Sequence, residues 1–136
     1  MDMRRTPIIL GPGEGRAYSL GTMSGIFKAD EDETAATYSI SEWWLAPHSS
    51  GPGPHSHQAN DDIFYVIEGV VRFLLGDRWI DAQKGSFLRI PPGIVHDFAN
   101  ATDSKAGLLN IYVPGGFERE MPELTDWFAK RKISLP

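Results

Sequence analysis

Residues 51–69 read GPGPHSHQANDDIFYVIEG, and this stretch decides how the rest of the chain has to be arranged. His55 and His57 stand two positions apart, so in a β-strand their side chains point to the same face. A turn at Ala59-Asn60 can bring an aspartate back beside them. Two imidazole nitrogens and one carboxylate oxygen would then converge on a single point, as they do in metal sites.

A second patterned stretch, residues 85–100, reads GSFLRIPPGIVHDFAN and contains a third histidine, His96. If it pairs with residues 51–69 in a sheet, the chain gathers three histidines and an acid. The sequence has no cysteine, so any metal must be held by nitrogen and oxygen ligands. The predicted ligands are His55, His57, Asp62 and His96.

Together the two stretches resemble the two sequence motifs of the cupin superfamily. Residues 51–69 follow the first motif, which has a glycine, then His-x-His, an acid, six residues and a closing glycine. One position departs, because the family usually has glutamate where this chain has Asp62. In the second motif every characteristic residue falls at the expected spacing: Gly85, Pro91, Gly93, His96 and Asn100. The resemblance implies a jelly-roll β-barrel.

The composition is that of one ordinary globular domain spanning residues 1–136, with 41% hydrophobic and 23% charged residues. A formal net charge of −5 argues against a nucleic-acid partner, because phosphate contacts need clustered lysine and arginine. The one basic cluster, residues 130–132, falls at the end of a predicted helix, where the helix dipole stabilises cations.

We find no apolar run near the roughly 20 residues of a membrane span and no secretory signal, so we expect a cytoplasmic protein without a membrane partner.

Short strand-like segments separated by glycine and proline turns predict an all-β fold with a barrel core over about residues 34–113. The acidic run at residues 30–33 is predicted to be a surface loop, since adjacent like charges favour solvent. Trp43 and Trp44 must face opposite sides of their strand, so both faces of that strand should be covered. The predicted strands cover residues 8–10, 16–20, 22–29, 34–46, 70–75, 79–81 and 108–113.

In the C-terminal part of the chain the spacing of apolar residues changes from that of a strand to that of a helix. Four apolar residues recur there at steps of three and four, which marks one face of an amphipathic helix within about residues 117–131: Phe117, Met121, Leu124 and Phe128. Pro122 suits the first turn of such a helix. We expect its apolar face to cover one end of the barrel near the mouth of the cavity.

The predicted site would hold one divalent transition metal, and its ligand types accept Fe, Mn, Ni, Co, Cu or Zn. Asp62 reaches about 1.5 Å less far than a glutamate, whereas metal–oxygen bonds tolerate about 0.2 Å of misfit. It therefore either ligates directly through an inward shift of the turn or holds a metal-bound water. Asp61 should point to the opposite face unless a bulge intervenes. Asp62 is also our candidate catalytic base.

Strand parity suggests the other residues of a substrate pocket. Side chains on the same face as Asp62 and His96 would form an apolar and aromatic wall around the polar centre. Arg89 lies within an apolar strand and is either solvated or aimed at an anion. The loop residue His48 could be a lid or outer-sphere group, or simply solvated. The pocket candidates are Phe64, Val66, Phe73, Leu75, Phe98, Asn100, Tyr112 and Arg89.

Residues 115–118, Gly-Gly-Phe-Glu, are similar to the stretch that follows the barrel in quercetinase-like cupins. This resemblance implies a metal-dependent dioxygenase whose substrate is a small aromatic or enolic, hydroxylated or dicarbonyl compound. Two alternatives stay open: a redox-neutral isomerase, cyclase or lyase, and a small-molecule-binding cupin without catalysis. Cupin relatives commonly pair, so a homodimer is also expected, with residues 8–10 and 22–27 as edge strands that need covering.

Overall fold

The computed structural model describes the backbone of residues 2–134 and the side chains of residues 2–130. Nine strands precede one helix of 14 residues, and three-residue 3-10 helices stand at Met3–Arg5, Glu31–Glu33 and Glu118–Glu120. The strands are β1 (Arg16–Leu20), β2 (Met23–Ala29), β3 (Ser39–Leu45), β4 (Asp61–Glu68), β5 (Val70–Leu75), β6 (Arg78–Gln83), β7 (Phe87–Ile90), β8 (His96–Ala99) and β9 (Ala106–Val113), and the helix is α1 (Met121–Ser134).

The strands form two antiparallel sheets with the core between them. One sheet has the order β1-β2-β3-β9-β4-β7 and the other β6-β5-β8, so distant parts of the chain lie side by side. This is the predicted jelly-roll barrel. Fully buried apolar side chains from both sheets fill the interior, among them Phe27, Leu45, Val66, Phe73 and Leu108. No helix within residues 2–134 is long and apolar enough to cross a membrane.

The two adjacent tryptophans of β3 do face opposite sides, and each lies across a glycine of a neighbouring strand. Trp43 is buried and covers Gly25 of β2, where an added Cβ would lie 2.7 Å from the indole ring. Trp44 points outward and covers Gly107 of β9, leaving no room for a side chain there. Residues larger than glycine at either position would push an indole off the sheet.

The first third of the chain differs from the prediction. Residues 8–10 are not a strand, and β2 is internal because it pairs with both β1 and β3. The predicted strand at 34–46 begins only at Ser39, because residues 34–37 form a turn in which Ala35 and Ala36 adopt positive φ. The six-stranded sheet thus gains two strands that lie before the predicted barrel core.

The acidic run is also not the free surface loop that its charge suggested. Asp30 is completely buried, and its carboxylate accepts hydrogen bonds from the backbone N–H groups of Glu31, Gly116 and Glu118, each at 2.7 Å. Glu33 in turn pairs with Arg16. Asp30, which the sequence pattern predicts to be solvated, therefore links the segment after β9 to the end of β2 through hydrogen bonds.

The C-terminal helix starts and ends close to the predicted limits. The 3-10 helix at Glu118–Glu120 runs directly into α1, and Met121 is fully buried while Leu124 and Phe128 pack against the core. Lys130 pairs with Asp126 one turn earlier. The side chains of residues 131 and 132, the rest of the predicted basic cluster, lie outside the described part of the chain.

Candidate metal centre

A single antiparallel bridge brings the two histidine-bearing stretches together. The backbone of His55 donates to the carbonyl of His96 at 3.0 Å, and His96 donates back at 2.8 Å. Two residues later the carbonyl of His57 accepts from Gly93 N–H at 2.8 Å. The pairing that the sequence suggested only conditionally is therefore present, and it places three imidazoles on one side of the loop.

The first glycine of residues 51–69 permits this pairing by its lack of a side chain. Gly51 is buried against the backbone of β8, and an added Cβ would collide with the carbonyl oxygen of Phe98. Asp97 secures the same loop, because its buried carboxylate accepts from Gly53 N–H at 3.1 Å. Burial raises the pKa of Asp97, although the hydrogen bonds from Phe98 and Gly53 oppose this effect.

We expect Gly51→Ala to lower both stability and metal affinity. The new methyl group must displace the segment that carries His55, at a cost of about 1–3 kcal/mol for overpacking. Urea unfolding and a cobalt titration measure the two effects, and we expect affinity to fall at least about tenfold. Ser50→Ala, at the exposed neighbouring position, is the control. Unchanged affinity in Gly51→Ala would show that this contact does not position the site.

The four predicted ligands converge. One donor atom from each of His55, His57, Asp62 and His96 lies within 4.8 Å of all the others. Bonds of about 2.1 Å would place the donors of a bound ion about 3 to 4.2 Å apart, so the cluster is only slightly wider than a bound metal requires. His96 is 1% exposed and Asp62 is 5% exposed, whereas His55 and His57 are partly accessible from the cavity. The donor set therefore fits a divalent transition metal.

The hydrogen bonds of two imidazoles favour the same ligand atom. His55 Nδ1 lies 2.7 Å from the carbonyl of Gly53, and His96 Nδ1 lies 3.0 Å from the carbonyl of Ile94. A carbonyl can only accept, so each Nδ1 carries a proton and donates. This leaves Nε2 of both rings as the atom for a metal, an orientation that metal-binding histidines usually show.

Asp62 supplies the negative charge at the centre of the cluster. Its Oδ2 lies 2.9 Å from His96 Nε2 and 3.3 Å from His57 Nε2, while Oδ1 accepts a hydrogen bond from Asn110. Burial would raise the pKa of Asp62, but the hydrogen bonds from the two imidazoles and from Asn110 outweigh it and lower that pKa. The shorter side chain of aspartate thus still reaches the histidine nitrogens. Asp61 points to the opposite face, as strand alternation predicts, and pairs with Arg89.

The protonation of the histidines follows from their surroundings. Burial lowers the pKa of His55, and the hydrogen bond to Gly53 only partly offsets this. Burial also disfavours the charged form of His96, but the hydrogen bonds to Asp62 and Ile94 and the charge of Asp62 prevail, so the pKa of His96 is raised. The two pKa values therefore shift in opposite directions, because Asp62 hydrogen-bonds to His96 whereas burial dominates at His55.

Three residues of the cluster, His55, His57 and Asp62, line the base of a cavity of about 670 Å³, and His96 is buried beside Asp62. Aromatic side chains from the sheets and from α1 form most of its wall, and the helix covers its mouth with Leu124 and Phe128, as expected. Three carboxylates stand along the mouth together with Lys130: Glu120, Glu123 and Asp126. The aromatic residues of the wall are Trp43, Phe64, Phe98, Tyr112, Phe117, Trp127 and Phe128.

The sequence model of the cupin domain matches residues 41–112, which is more than half of the chain. The chain belongs to the cupin superfamily. The matched region contains all four candidate ligands of this cupin. A search of functionally curated proteins gave no significant match.

Solved structures similar to this cupin support the same fold. A cupin protein from Bacteroides fragilis is 30% identical over 59% of this chain and 68% of its own, with a TM-score of 0.55. KdgF from Halomonas sp. is 16% identical, covering 84% of this chain and 99% of its own, with a TM-score of 0.72. The polyketide cyclase RemF from Streptomyces resistomycificus is 23% identical, covering 74% and 69%, with a TM-score of 0.60.

Three of the pocket candidates line the cavity of this cupin: Phe64, Phe98 and Tyr112. Val66 and Phe73 are fully buried in the core, and Leu75 packs against it. Asn100 is buried beside the loop after β8, where its amide donates to the carbonyls of Leu45, Ala46 and Ser104. It holds the loop rather than a substrate.

The structure places Arg89 and His48 away from the cavity. Arg89 lies on the outer face of the six-stranded sheet. Its anionic partner is the carboxylate of Asp61, at 2.9 Å, and not a bound ligand. His48 is exposed and its Nε2 contacts Asp103. Neither side chain can therefore bind a molecule in the cavity.

Sequence reasoning missed one residue of the site and undervalued another. Asn110 is a buried amide that donates to Asp62 and to the carbonyl of Ile63. A polar residue at an inward position of an otherwise apolar strand was the available signal. Tyr112 was named only as lining, but its hydroxyl lies 3.2 Å from His57 Nδ1. Burial, together with Glu120 and Asp62, raises the pKa of Tyr112 to about 12, so it stays a neutral hydroxyl.

Proposed function

We propose that this cupin is a metal-dependent dioxygenase of a small aromatic or enolic compound that carries hydroxyl or carbonyl oxygens. The observation that carries the proposal is that four donor atoms converge and that three of their residues, His55, His57 and Asp62, line a cavity with aromatic walls. A bound substrate would direct its oxygens to the polar base and its rings to the aromatic wall. The choice of dioxygenation over other reactions rests on the resemblance to quercetinase-like cupins.

His55, His57 and His96 would hold the metal, with Asp62 as a direct ligand or as the acceptor of a metal-bound water. A divalent transition metal there would polarise a substrate oxygen and, if redox-active, would support reaction with dioxygen. The remaining chemistry belongs to the protein. Asn110 fixes Asp62 by binding Oδ1, which leaves Oδ2 turned toward the imidazoles and the cavity.

Two side chains can exchange hydrogen bonds with a substrate at the base of the cavity. Asp62 is the carboxylate placed to accept the proton of a substrate hydroxyl. Tyr112 is a neutral hydroxyl on the same wall and can donate to a substrate carbonyl. A compound with adjacent hydroxyl and carbonyl groups, such as a flavonol, offers one partner to each.

The charges at the mouth favour a substrate that is neutral at its outer end. Among the described side chains lining the cavity, Lys130 is the one ammonium or guanidinium group, and Asp126 already pairs with it at 3.0 Å. Glu120 and Glu123 stand nearby as carboxylates. A substrate carboxylate at this end would meet like charge without a cationic partner.

We therefore expect a neutral flavonol to bind at least about tenfold more tightly than the same flavonol carrying a carboxylate on the ring remote from its hydroxyl and carbonyl pair. Quenching of tryptophan fluorescence measures both affinities. Replacing Glu120 and Glu123 by glutamine should reduce the difference between the two affinities. The same change at Glu14, which lies outside the cavity, should leave that difference unchanged. Equal affinity for the two flavonols would contradict the claim that the carboxylates at the mouth of the cavity disfavour a negatively charged substrate.

A redox-neutral cyclase or isomerase is the second candidate, and a specific observation favours it. Asp62 and Tyr112 place a proton acceptor and a proton donor on one cavity wall, which is sufficient for moving a proton within an enolic substrate. The structural similarity to a polyketide cyclase is compatible with this candidate, although at 23% identity it concerns the fold alone.

Oxygen consumption separates the candidates. The metal-loaded protein is incubated with flavonols, dihydroxynaphthalenes and 1,3-diketones in air and under nitrogen, and substrate, product mass and dissolved oxygen are followed together. A dioxygenase consumes one oxygen molecule per substrate and stops under nitrogen. A cyclase or isomerase gives a product without added oxygen in both atmospheres. Binding without turnover of any compound would favour the non-catalytic cupin and contradict the proposed activity.

A further inference from the structure

A buried amide at the base of the cavity has an oxygen to which no described residue donates. Asn110 lies on β9, is 3% exposed and lines the cavity together with Asp62 and Tyr112. Its Nδ2 group donates to Asp62 Oδ1 at 2.5 Å and to the carbonyl of Ile63 at 3.1 Å. A carboxylate and a carbonyl can only accept, so these two partners fix which end of the amide carries the hydrogens. The other end, Oδ1, is therefore an acceptor, and both donor hydrogens of this amide are already used.

This open acceptor differs from the other buried oxygens of the protein. Asn100 is a buried amide of the same kind, but its Oδ1 accepts from the backbone N–H and the hydroxyl of Thr102 at 2.9 and 2.7 Å. Among the described residues, the fully buried side-chain oxygens without a partner are Glu31 Oε1 and Ser39 Oγ. Asn110 Oδ1 differs from both because it is accessible from the cavity. Buried acceptors are nearly always satisfied, so an open one in a cavity wall points to a ligand as its partner.

The neighbouring strands supply no donor to this oxygen. Asn110 pairs in register with Ser41 of β3 and with Phe64 of β4. The hydroxyl of Ser41 accepts from Trp43 Nε1 at 2.9 Å and makes no hydrogen bond with Asn110. Phe64 contributes only an apolar ring to the same wall. Apart from solvent, a donor for Asn110 Oδ1 therefore has to belong to a molecule bound in the cavity.

Three polar groups of defined hydrogen-bonding character stand in a row at the base of the cavity. Asn110 contacts Asp62, whose Oδ2 lies 3.3 Å from His57 Nε2, and His57 Nδ1 lies 3.2 Å from the hydroxyl of Tyr112. Along this row Asn110 Oδ1 accepts, Asp62 Oδ2 accepts and the hydroxyl of Tyr112 donates. The complementary ligand presents a hydroxyl, a second hydroxyl and a carbonyl in the same order.

We propose that Asn110 Oδ1 is a substrate contact, and that it selects compounds with a second hydroxyl beside the one that Asp62 accepts, on the side away from the carbonyl. The inference rests on the proposed function, in which Asp62 and Tyr112 receive the hydroxyl and the carbonyl. It adds to the role of Asn110 in fixing Asp62, because the two roles use opposite ends of one amide. A substrate without the second hydroxyl displaces solvent from Oδ1 and leaves this acceptor unpaired, which lowers affinity.

Three related flavonols test the inference. The parent, 3-hydroxyflavone, has one hydroxyl beside its carbonyl. Its derivative 3,2′-dihydroxyflavone adds a hydroxyl on the side of the first hydroxyl, whereas 3,5-dihydroxyflavone adds one on the side of the carbonyl. Quenching of tryptophan fluorescence measures their affinities for the metal-loaded protein under nitrogen, where oxygen-dependent turnover does not interfere. We expect 3,2′-dihydroxyflavone to bind at least about fivefold more tightly than either of the others.

Asn110→Leu should abolish this fivefold gain. The variant also disturbs Asp62, so the affinity for all three flavonols should fall. The ratio of the affinities for 3,2′-dihydroxyflavone and 3-hydroxyflavone isolates the role of Oδ1, because both ligands are affected alike by a disturbed Asp62. Circular dichroism checks the fold, and Asn110→Ser is the second variant if the leucine protein does not fold. Asn60→Leu is the matched control, because Asn60 lies outside the cavity and donates to Pro114, and it should keep the gain.

Two results would overturn the inference and leave the proposed function in place, since 3-hydroxyflavone binds in both. One is a wild-type protein that binds 3,2′-dihydroxyflavone no more tightly than the parent or the 3,5 isomer. The other is a gain that persists in the folded Asn110 variants. If the wild type bound none of the three compounds, the substrate class of the proposed function would be contradicted, and this inference with it.

Discussion

The His96→Ala protein is expected to purify without metal, whereas the wild type is expected to purify with a divalent transition metal. His96 is the most buried of the four candidate ligands, and it is held at both ring nitrogens, by Ile94 on one side and Asp62 on the other. Removing it leaves a carboxylate and two imidazoles around an empty space. Loss of even an outer-shell partner commonly costs 10- to 100-fold in affinity, so we expect a loss of at least about 100-fold. Elemental analysis by plasma mass spectrometry and a Co²⁺ titration measure it.

His48→Ala is the matched control for that experiment, since His48 is a histidine outside the cluster. It should retain the metal in full. Thermal unfolding shows whether His96→Ala is still folded, so that metal loss is not mistaken for unfolding. A folded His96→Ala protein with stoichiometric, tightly bound metal would remove His96 from the ligand set and, with it, the site as described.

The second large effect is expected from Asp30→Ala, which should lower the free energy of unfolding by about 3 to 5 kcal/mol. The substitution leaves three backbone N–H groups, those of Glu31, Gly116 and Glu118, without their acceptor. Each buried donor without a partner costs about 1–3 kcal/mol. Urea unfolding measures the change.

Asp32→Ala removes an exposed carboxylate from the same acidic run and serves as the control. We expect it to stay within about 0.5 kcal/mol of the wild type. Asp30→Asn keeps an acceptor oxygen and should lie between the two. If Asp30→Ala were as stable as Asp32→Ala, the hydrogen bonds to residues 116 and 118 would have no role in fastening the tail.

The convergence of His55, His57 and Asp62 could be predicted from local spacing, whereas the addition of His96 depended on the pairing of two distant stretches, which the resemblance to the cupin motifs implied. The spacing of His55 and His57 fixes a common face, and alternation separates Asp62 from Asp61 without any knowledge of the partner strands. The repeated short strands and the change of period after residue 113 likewise reflect local geometry. Alternation holds for Asp61 and Asp62 in β4, whereas His55 and His57 lie in a loop whose bridges to residues 93 and 96 keep their side chains together.

Features that depend on depth within the barrel were not predictable. Parity places Val66 and Phe64 on one face, but only the position along the barrel decides that Phe64 meets the cavity and Val66 the core. Strand alternation places Asn100 on the same face as His96. In the structure, however, its amide donates hydrogen bonds to three backbone carbonyls and is not available to a substrate. For Asp30, the partners come from residues more than 80 positions away, so its surroundings resemble those of a solvated acid until the chain has folded.

The contact between Trp43 and Gly25 has a consequence for how such a cavity can change. Trp43 lines the cavity, whereas Gly25 stands behind the indole and has no contact with a bound molecule. A methyl group at residue 25 would press the ring toward the interior, and the space available to a substrate would shrink although every lining side chain kept its identity. Selection for smaller or larger substrates can therefore act on a strand position that a comparison of cavity residues alone would overlook.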